Sequence, residues 1–310
     1  MSTGLPFIGV VVAMLVAVHF GVWEALLLAI PAAALLVRLF MIQHDCGHGS
    51  FFASRRANDL LGRVLGVLTL TPYDHWRRRH ALHHATSGNL DRRGVGDVAL
   101  LTAREYLARP MWRRAMYRLY RHPAIMLGVA PTYLFLFRFR IPIGHPKRHL
   151  QDWLSILGTD AAIIGILAAM ALTIGLVPFL LVYLPVILTA ATAGVWLFYI
   201  QHQFEDAYWE AETQWNFQAA ALQGATFYDL SPVLRWITAD IGLHHVHHLS
   251  SKIPNYRLRA CLDGNPELSK AKRLTLWDSL RCLRLAIWDE EQRKLISFRQ
   301  VRREHEFRVA

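Results

Sequence analysis

The sequence predicts an all-α membrane protein with four transmembrane helices in two hairpins and a cytosolic helical cap that carries three histidine clusters. Three observations lead to this fold class. The chain is 54% hydrophobic and still contains 34 Lys and Arg residues, a mixture that is typical of membrane proteins with basic loops. Its apolar residues are concentrated in four long runs. The histidine clusters all lie outside these runs.

The four apolar runs predict membrane spans at about residues 5–20, 22–42, 154–175 and 176–200. About 20 apolar residues are needed to cross the hydrocarbon core, so the first run is short for a span. Only very short turns separate the first run from the second and the third from the fourth. The spans are therefore expected to form two hairpins.

The basic residues predict which side of the membrane the loops occupy. Thirty-three of the 34 Lys and Arg residues lie in residues 44–150 or 201–310, and Arg38 is the exception. Cytoplasmic loops are enriched in Lys and Arg, so both stretches are expected on the cytoplasmic side of the membrane. If the protein is bacterial, this membrane is the inner membrane. The first run lacks the basic start of a secretory signal and is expected to be a retained span. Residues 1–310 are expected to form a single domain.

Four further features of the sequence have predictable roles. The apolar run Pro123–Phe137 has 15 residues between arginines, and we expect it to lie on or dip into the cytoplasmic leaflet rather than form a fifth span. Arginines interleaved with aromatic residues around Trp112 predict a helix at the lipid headgroups. The spacing of apolar residues from Thr275 to about Arg303 predicts a helix. Gly62 and Gly66 predict close helix packing.

The histidine clusters are the strongest functional signal. Residues 80–84 and 244–248 both follow the pattern H-x-x-H-H, and residues 44–48 supply an H-x-x-x-H. With 16 histidines in 310 residues, H-x-x-H-H arises by chance at about one position in 7,000, so two accidental copies are very improbable. Residues three or four apart share one face of a helix, so each cluster can direct its imidazoles at one point. Eight imidazoles are too many for one metal ion and suit two.

The identity of the metal stays open at this level, because imidazole binds iron, zinc, copper and nickel. A zinc hydrolase needs only three protein ligands, which makes this set excessive. His202 ends the fourth apolar run, where it is either a ninth ligand or a residue of the membrane interface. Cys46 lies within the first cluster and is expected to be a packing residue, because a thiolate would favour zinc or copper.

Four residues are candidates for supporting the ligands. Metal-bound imidazoles usually donate their second N–H to a carboxylate or a carbonyl, and Asp45, Glu205 and Asp240 lie near the clusters in sequence. These acids can equally be helix caps or surface residues. His245 lies between ligands but points away from them on a helix, which predicts a supporting or solvent-facing role.

The chain resembles the integral-membrane fatty acid desaturases of the three-histidine-box di-iron type, and is closest to bacterial acyl-lipid desaturases of the Δ12/ω6 kind. The resemblance is carried by six segments: HDCGH at 44–48, HALHH at 80–84, QHQFEDAYW at 201–209, HHVHH at 244–248, HHLSSKIPNY at 247–256 and IWDEEQRKLISF at 287–298. These segments extend over nearly the whole chain.

The resemblance implies an O2-dependent oxidoreductase that places a double bond in a long, lipid-linked acyl chain. Its two iron ions are expected to be held by nine histidines: His44, His48, His80, His83, His84, His202, His244, His247 and His248. No catalytic residues are expected beyond these ligands. The acyl-CoA branch of the family has an Asn four residues before the histidine that corresponds to His202. This chain has Phe198 at that position. The chain has no haem or flavin signature, so an external donor such as a ferredoxin is expected to supply electrons.

Two alternatives remain at this stage. Carotenoid or alkane hydroxylases and ketolases share part of the histidine pattern and differ in adding oxygen to their product. A metal transporter belongs to a different class, and it would need ionisable groups within its spans, where this chain has almost none.

Overall fold

A computed structural model describes residues 2–94, 98–141 and 150–306 of the chain, and most of these residues are helical. Three of the described helices are long and apolar enough to cross a membrane: Trp23–His48, Leu150–Thr173 and Leu176–His202. The first predicted span corresponds to a shorter apolar helix, Gly4–His19, of 16 residues. The prediction of a mainly helical protein with apolar, membrane-length helices is therefore confirmed.

The chain divides into two compact units. Unit 1 consists of Met1–Arg78, Ala130–Val195 and Trp236–Ala239, and unit 2 consists of Arg79–Val129, Trp196–Arg235 and Asp240–Ala310.

The α-helices in chain order are α1 (Gly4–His19), α2 (Ala29–His48), α3 (Arg55–Leu68), α4 (Tyr73–Thr86), α5 (Ala103–Ala108), α6 (Met111–Tyr120), α7 (Ala130–Leu136), α8 (Leu150–Thr173), α9 (Leu176–His202), α10 (Phe217–Gln223), α11 (Pro232–Ile237), α12 (His244–Leu249), α13 (Asn255–Gly264), α14 (Leu276–Cys282) and α15 (Phe298–Glu306). A 3₁₀-helix, Trp23–Leu28, leads directly into α2. Shorter 3₁₀ or π turns occur at Leu90–Arg92, Ile125–Val129, Arg138–Arg140 and Pro266–Lys270.

Two small β-sheets correct the all-α prediction. The strands are β1 (Leu101–Thr102), β2 (Phe227–Tyr228), β3 (Arg273–Leu274), β4 (Leu285–Asp289) and β5 (Lys294–Ser297). One sheet has the order β1-β4-β5, with β1 parallel and β5 antiparallel to β4, and β2 pairs with β3 in parallel. All five strands belong to unit 2.

The helix predicted from Thr275 to Arg303 is interrupted: α14 ends at Cys282 and α15 begins at Phe298, so the prediction is wrong for residues 283–297. The β4–β5 hairpin comes next, and Asp289 fixes its turn. The carboxylate of Asp289 accepts hydrogen bonds from the backbone N–H groups of Glu291 and Gln292, both at 2.9 Å. Such a side-chain-to-backbone turn competes with a helix. Short apolar runs are also ambiguous between helix and strand.

The segment Pro123–Phe137 forms two short pieces, a π turn at Ile125–Val129 and the seven-residue α7. Neither piece has the length of a membrane span. The predicted helix around Trp112 is present as α6, and its apolar residues Met116 and Leu119 are both 61% exposed.

In unit 1, α3 and α4 approach closely at Gly62, as predicted. A Cβ atom on Gly62 would lie 2.2 Å from the ring of Tyr73, which is much closer than side-chain atoms normally approach. The hydroxyl of Tyr73 donates to the carbonyl of Cys46 at 2.7 Å and fixes the start of α4 against the end of α2. Gly49 has a left-handed φ of 65° and ends α2 directly after His48.

In unit 2, the buried side chain of Arg121 connects several segments. It donates to the carbonyls of Ala99 and Leu285 at 3.1 and 2.8 Å and to the side chain of Gln203 at 3.0 Å. The hydroxyl of Tyr199, near the end of α9, donates to the carbonyl of Cys282 at 3.0 Å. These bonds fix the end of α9 where His202 emerges.

Candidate metal centre

The first histidine cluster lies in unit 1, on the last turn of α2. His44 and His48 are one helical turn apart, and their ring centroids are 4.7 Å apart. The apolar run that precedes them continues into the same helix. The imidazoles therefore project from the end of a helix of membrane-spanning length.

Unit 2 brings four imidazoles into one group, which we call the four-histidine group: His83, His202, His244 and His248. Each contributes a ring nitrogen, and these four atoms lie within 4.8 Å of one another. The Nε2 atom of His202 lies 3.2 Å from Nε2 of His83 and 3.0 Å from Nε2 of His244. All four side chains are buried.

Three more imidazoles of unit 2 lie beside this group. The Nε2 atom of His84 lies 3.1 Å from Nε2 of His80 and 3.1 Å from Nε2 of His247. The ring of His84 also stacks on that of His248, with centroids 4.1 Å apart. Seven of the nine predicted ligands therefore gather within unit 2.

The local fold explains how these side chains are directed. In α4, residues 80, 83 and 84 lie on one face because of the helical repeat. In the short helix α12, Val246 is buried in a core with Leu243, Leu258 and Leu262. Burying Val246 on that side turns His244, His247 and His248 towards the other imidazoles.

The hydrogen bond of His202 defines its protonation. Its Nδ1 atom lies 3.0 Å from the carbonyl oxygen of Gly224. A carbonyl only accepts hydrogen bonds, so Nδ1 carries the proton and Nε2 presents its lone pair to the group. This is the arrangement that metal-bound imidazoles usually adopt.

The protonation of His248 is also favourable for a ligand. Burial, together with the neighbouring imidazoles of His84 and His244, holds the pKa of His248 well below its usual value. Its Nε2 atom is buried and has no hydrogen-bond partner among the described residues. A neutral imidazole is the form that binds a metal ion.

The spacing of the nitrogens fits metal coordination. Two ligand nitrogens bound at 2.0–2.1 Å and at right angles are about 3 Å apart. The Nε2–Nε2 distances around His202 and His84 are 3.0–3.2 Å. The donor set is entirely imidazole, which suits iron and other first-row transition metals.

The four predicted supporting residues have different surroundings. The carboxylate of Asp45 lies 3.4 Å from Nδ1 of His44. Nδ1 of His245 lies 3.4 Å from the carbonyl of Thr226, and the side chain is fully buried. Burial lowers the pKa of His245, although the Thr226 carbonyl opposes this effect.

The other two supporting candidates make ion pairs with cations. Asp240 lies 2.7 Å from Arg235, and Glu205 lies 3.6 Å from Lys294 with a side chain that is 56% exposed.

Sequence reasoning did not anticipate two contacts of the site. The Gly224 carbonyl that orients His202 has no sequence signature, because every residue type provides a carbonyl. The ring of Phe198 lies 5.1 Å from that of His83, so this residue forms an apolar wall beside the four-histidine group. His75, outside the predicted ligands, pairs with Asp152 at 3.0 Å in unit 1.

The chain is similar to known proteins of one family. The family model described as "Fatty acid desaturase" matches residues 21–279. A protein from Bacillus subtilis (strain 168) named "Fatty acid desaturase" is 42% identical over 304 residues, which cover 97% of this chain and 85% of that protein.

Two cyanobacterial proteins are more distant. The "sn-1 acyl-lipid omega-3 desaturase (ferredoxin)" of Synechocystis sp. is 30% identical over 73% of this chain, and the "sn-1 oleoyl-lipid 12-desaturase" of Anabaena variabilis is 26% identical over 72%. This chain spans 63% of the length of each of them. With the family match over residues 21–279 and the Bacillus relative along nearly its full length, the chain belongs to the fatty acid desaturase family of oxidoreductases.

Proposed function

We propose that this protein uses O2 to introduce a double bond into a long acyl chain carried by a membrane lipid. The observation that carries the proposal is the four-histidine group: four buried imidazole side chains, with one ring nitrogen of each within 4.8 Å of the others. A buried all-imidazole site at the end of the apolar helix α9 suits the oxidation of a substrate that arrives from the bilayer.

We assign two iron ions to the nine predicted histidines. The four-histidine group binds one ion. The helical spacing within the three sequence clusters is the basis for assigning the remaining predicted ligands to the second ion. Asp45 is the proposed hydrogen-bond partner of His44. The buried side chain of His245 stabilises α12. The ion pairs of Glu205 and Asp240 favour a role in holding the loops around the site.

When bound, the iron pair supplies the O2 activation that removing hydrogen from an unactivated methylene requires. The reaction takes two hydrogen atoms from neighbouring methylenes and combines them with O2, two electrons and two protons, which yields one double bond and two water molecules. The protein favours the neutral form of the buried His248 imidazole and places the apolar ring of Phe198 beside His83. Positioning of the acyl chain, rather than acid–base catalysis, determines which carbons react.

One relative supports a proposal about the carrier and the electron source. It is named "sn-1 acyl-lipid omega-3 desaturase (ferredoxin)". We infer that the acyl chain is attached to a lipid and that an external, ferredoxin-like protein delivers the electrons. The net charge of +11 favours docking of an acidic donor.

The membrane arrangement that suits this activity has four spans, α1, the helix Trp23–His48, α8 and α9, in two hairpins. Residues 1–310 then act as a single desaturase domain whose histidines face the cytoplasm, at the inner membrane if the source is bacterial. The distribution of 33 of the 34 basic residues supports this orientation.

A hydroxylase or ketolase acting on carotenoids or alkanes is the runner-up. The relatives named above are all desaturases, and they favour loss of hydrogen over addition of oxygen.

Expression in a host that lacks polyunsaturated lipids, followed by mass spectrometry of its fatty acids, tests the proposal. We expect acyl chains that are lighter by two hydrogen atoms. His83→Ala, which removes one proposed ligand, should abolish this product and lower the iron content while the protein still inserts into the membrane. Products that are heavier by one oxygen atom would favour the hydroxylase, and full activity of His83→Ala would contradict the ligand assignment.

A further inference from the structure

A second polar site lies in unit 1, at a cavity of about 570 Å³ between α3, α4 and α8. Three guanidinium groups line it, from Arg63, Arg77 and Arg78, together with the carboxylate of Asp74. The side chain of Arg63 is 60% exposed, so a ligand can reach the cavity from outside. Among the described lining residues, three arginines accompany one carboxylate, and the carboxylates of Asp59 and Asp152 pair with Arg77 and Arg78 from outside the lining.

The three arginines are held in place before any ligand arrives. Arg63 donates to Asp74 at 2.8 Å, and Arg77 donates to Asp59 at 2.8 Å. Arg78 donates to Asp152, which is almost completely buried. A guanidinium has five N–H groups, and these ion pairs use only some of them. The carboxylates therefore orient the arginines while N–H groups remain for an anion.

One side of the cavity is apolar. Val67 of α3 and Leu154 and Gly158 of α8 line it. Leu154 is 61% exposed and belongs to the second turn of a helix that is long and apolar enough to span a membrane. The cavity therefore joins a cationic wall to the lipid-facing side of a helix end.

We propose that this cavity binds the phosphate group of the glycerophospholipid that carries the acyl chain. Arginine recognises phosphate with paired hydrogen bonds, which gives both strength and orientation. The apolar side then accommodates the glycerol and the first methylenes. This inference rests on the proposed function, because it specifies the carrier of the acyl substrate.

The position of the cavity favours a lipid over a soluble phosphate ester. Its lining on α8 comes from the first turns of that helix, at Gln151, Leu154, Ser155, Gly158 and Thr159. The end of a spanning helix lies at the depth of the headgroups, where phospholipid phosphates are concentrated. A ligand from the bilayer reaches this position without leaving the membrane.

The cavity is also linked along the chain to the proposed metal site. Arg77 and Arg78 share α4 with the histidines at 80, 83 and 84, and Arg78 precedes His83 by five residues. A headgroup held by these arginines is therefore fixed relative to α4. Such an anchor would define which methylenes of the acyl chain reach the irons.

The test measures lipid binding by the purified, iron-containing protein in mixed detergent micelles. The probes are a fluorescent phosphatidylglycerol and the diacylglycerol with the same acyl chains, which lacks the phosphate. We expect phosphatidylglycerol to bind about tenfold more tightly, the effect of one or two hydrogen bonds to a charged group. Equal binding of the two lipids would overturn the proposal.

Arg63→Gln is the informative variant, because this exposed arginine can be replaced without leaving a buried acid unpaired. We expect it to lose most of the preference for phosphatidylglycerol and to raise KM for that lipid with little change in kcat. Arg55→Gln is the matched control: Arg55 lies on the same helix, is 53% exposed and pairs with Asp59 at 3.3 Å, but does not line the cavity. Equal effects of the two variants would contradict a specific site.

Two competitors distinguish the source of the phosphate. Displacement of phosphatidylglycerol by millimolar inorganic phosphate would show a site for free phosphate, and tighter binding of oleoyl-CoA would show a soluble thioester carrier; either result overturns the lipid assignment. The binding assay needs no turnover. If the wild-type protein desaturates lipids without preferring phosphatidylglycerol, only this inference fails, whereas absence of any unsaturated product defeats the proposed function.

Discussion

Four histidines occupy five consecutive positions from His244 to His248, yet they have two kinds of surroundings. The rings of His244 and His248 lie in the four-histidine group, whereas Nδ1 of His245 faces the carbonyl of Thr226. His245 is fully buried next to Phe227, at a ring distance of 6.1 Å. Packing and a backbone contact, rather than a metal ion, therefore account for its position.

These surroundings predict opposite results for two alanine substitutions. His245→Ala should lower the free energy of unfolding by about 1–3 kcal/mol, because it leaves a cavity and removes a partner of Thr226, while the iron content stays near that of the wild type. His244→Ala should lose iron with a smaller change in packing. Iron analysis and thermal unfolding of the purified variants measure both effects. Iron loss in His245→Ala as large as in His244→Ala would make His245 a ligand.

At the scale of helices and strands, the sequence was informative where a repeat had only one interpretation. The spacing of His80, His83 and His84 predicted one face of a helix, and α4 presents them in that way. The C-terminal segment was different, because its apolar positions fit either a helix or a strand. Its β4–β5 hairpin depends on the turn at Asp289 and on the burial of Ile287 and Ile296 in one apolar cluster. This packing becomes visible only in the folded chain.

Other parts of the site could not be read from residue types at all. The carbonyl of Gly224 orients His202, and any residue at that position would offer the same oxygen. The ion pair of Asp240 with Arg235 is equally local, but the proximity of Asp240 to His244 in sequence suggested a different partner. Proximity along the chain therefore predicted which imidazoles come together better than it predicted the groups around them.

The contact between α3 and α4 supports a second prediction. Gly62→Ala should destabilise the protein by about 1–3 kcal/mol, because the new methyl group would overlap the ring of Tyr73, which also holds the end of α2. Gly165→Ala is the control, since a Cβ at that helical position would meet no described atom within 4 Å. Thermal unfolding in detergent measures the difference. A Gly62→Ala protein as stable as the control would show that α3 and α4 can separate at little cost.

For the whole molecule, the open question is whether α1 crosses the membrane. Its 16 residues extend for about 24 Å, and the hydrocarbon core is about 30 Å thick. The hydroxyl of Thr3, just before α1, accepts a hydrogen bond of 3.2 Å from Arg38 on α2, ten residues before His48. Gly21, with a φ of 77°, lies in the turn between the two helices. The start of α1 therefore lies next to the half of α2 that leads to the first histidine cluster.

This pairing predicts that the N-terminus and the histidines share the cytoplasmic side. Single cysteines at Ser2, Val22 and Glu267 can be tested with a membrane-impermeant maleimide, in a background where the partly exposed Cys261 is serine and the buried Cys46 and Cys282 are retained. We expect Val22→Cys to react in intact cells, and Ser2→Cys and Glu267→Cys to react only after permeabilisation. Reaction of Ser2→Cys in intact cells would leave three spans, with α1 on the outer surface. Reaction of Glu267→Cys in intact cells would place the third histidine cluster outside, away from any cytoplasmic electron donor, and would contradict the proposed iron site.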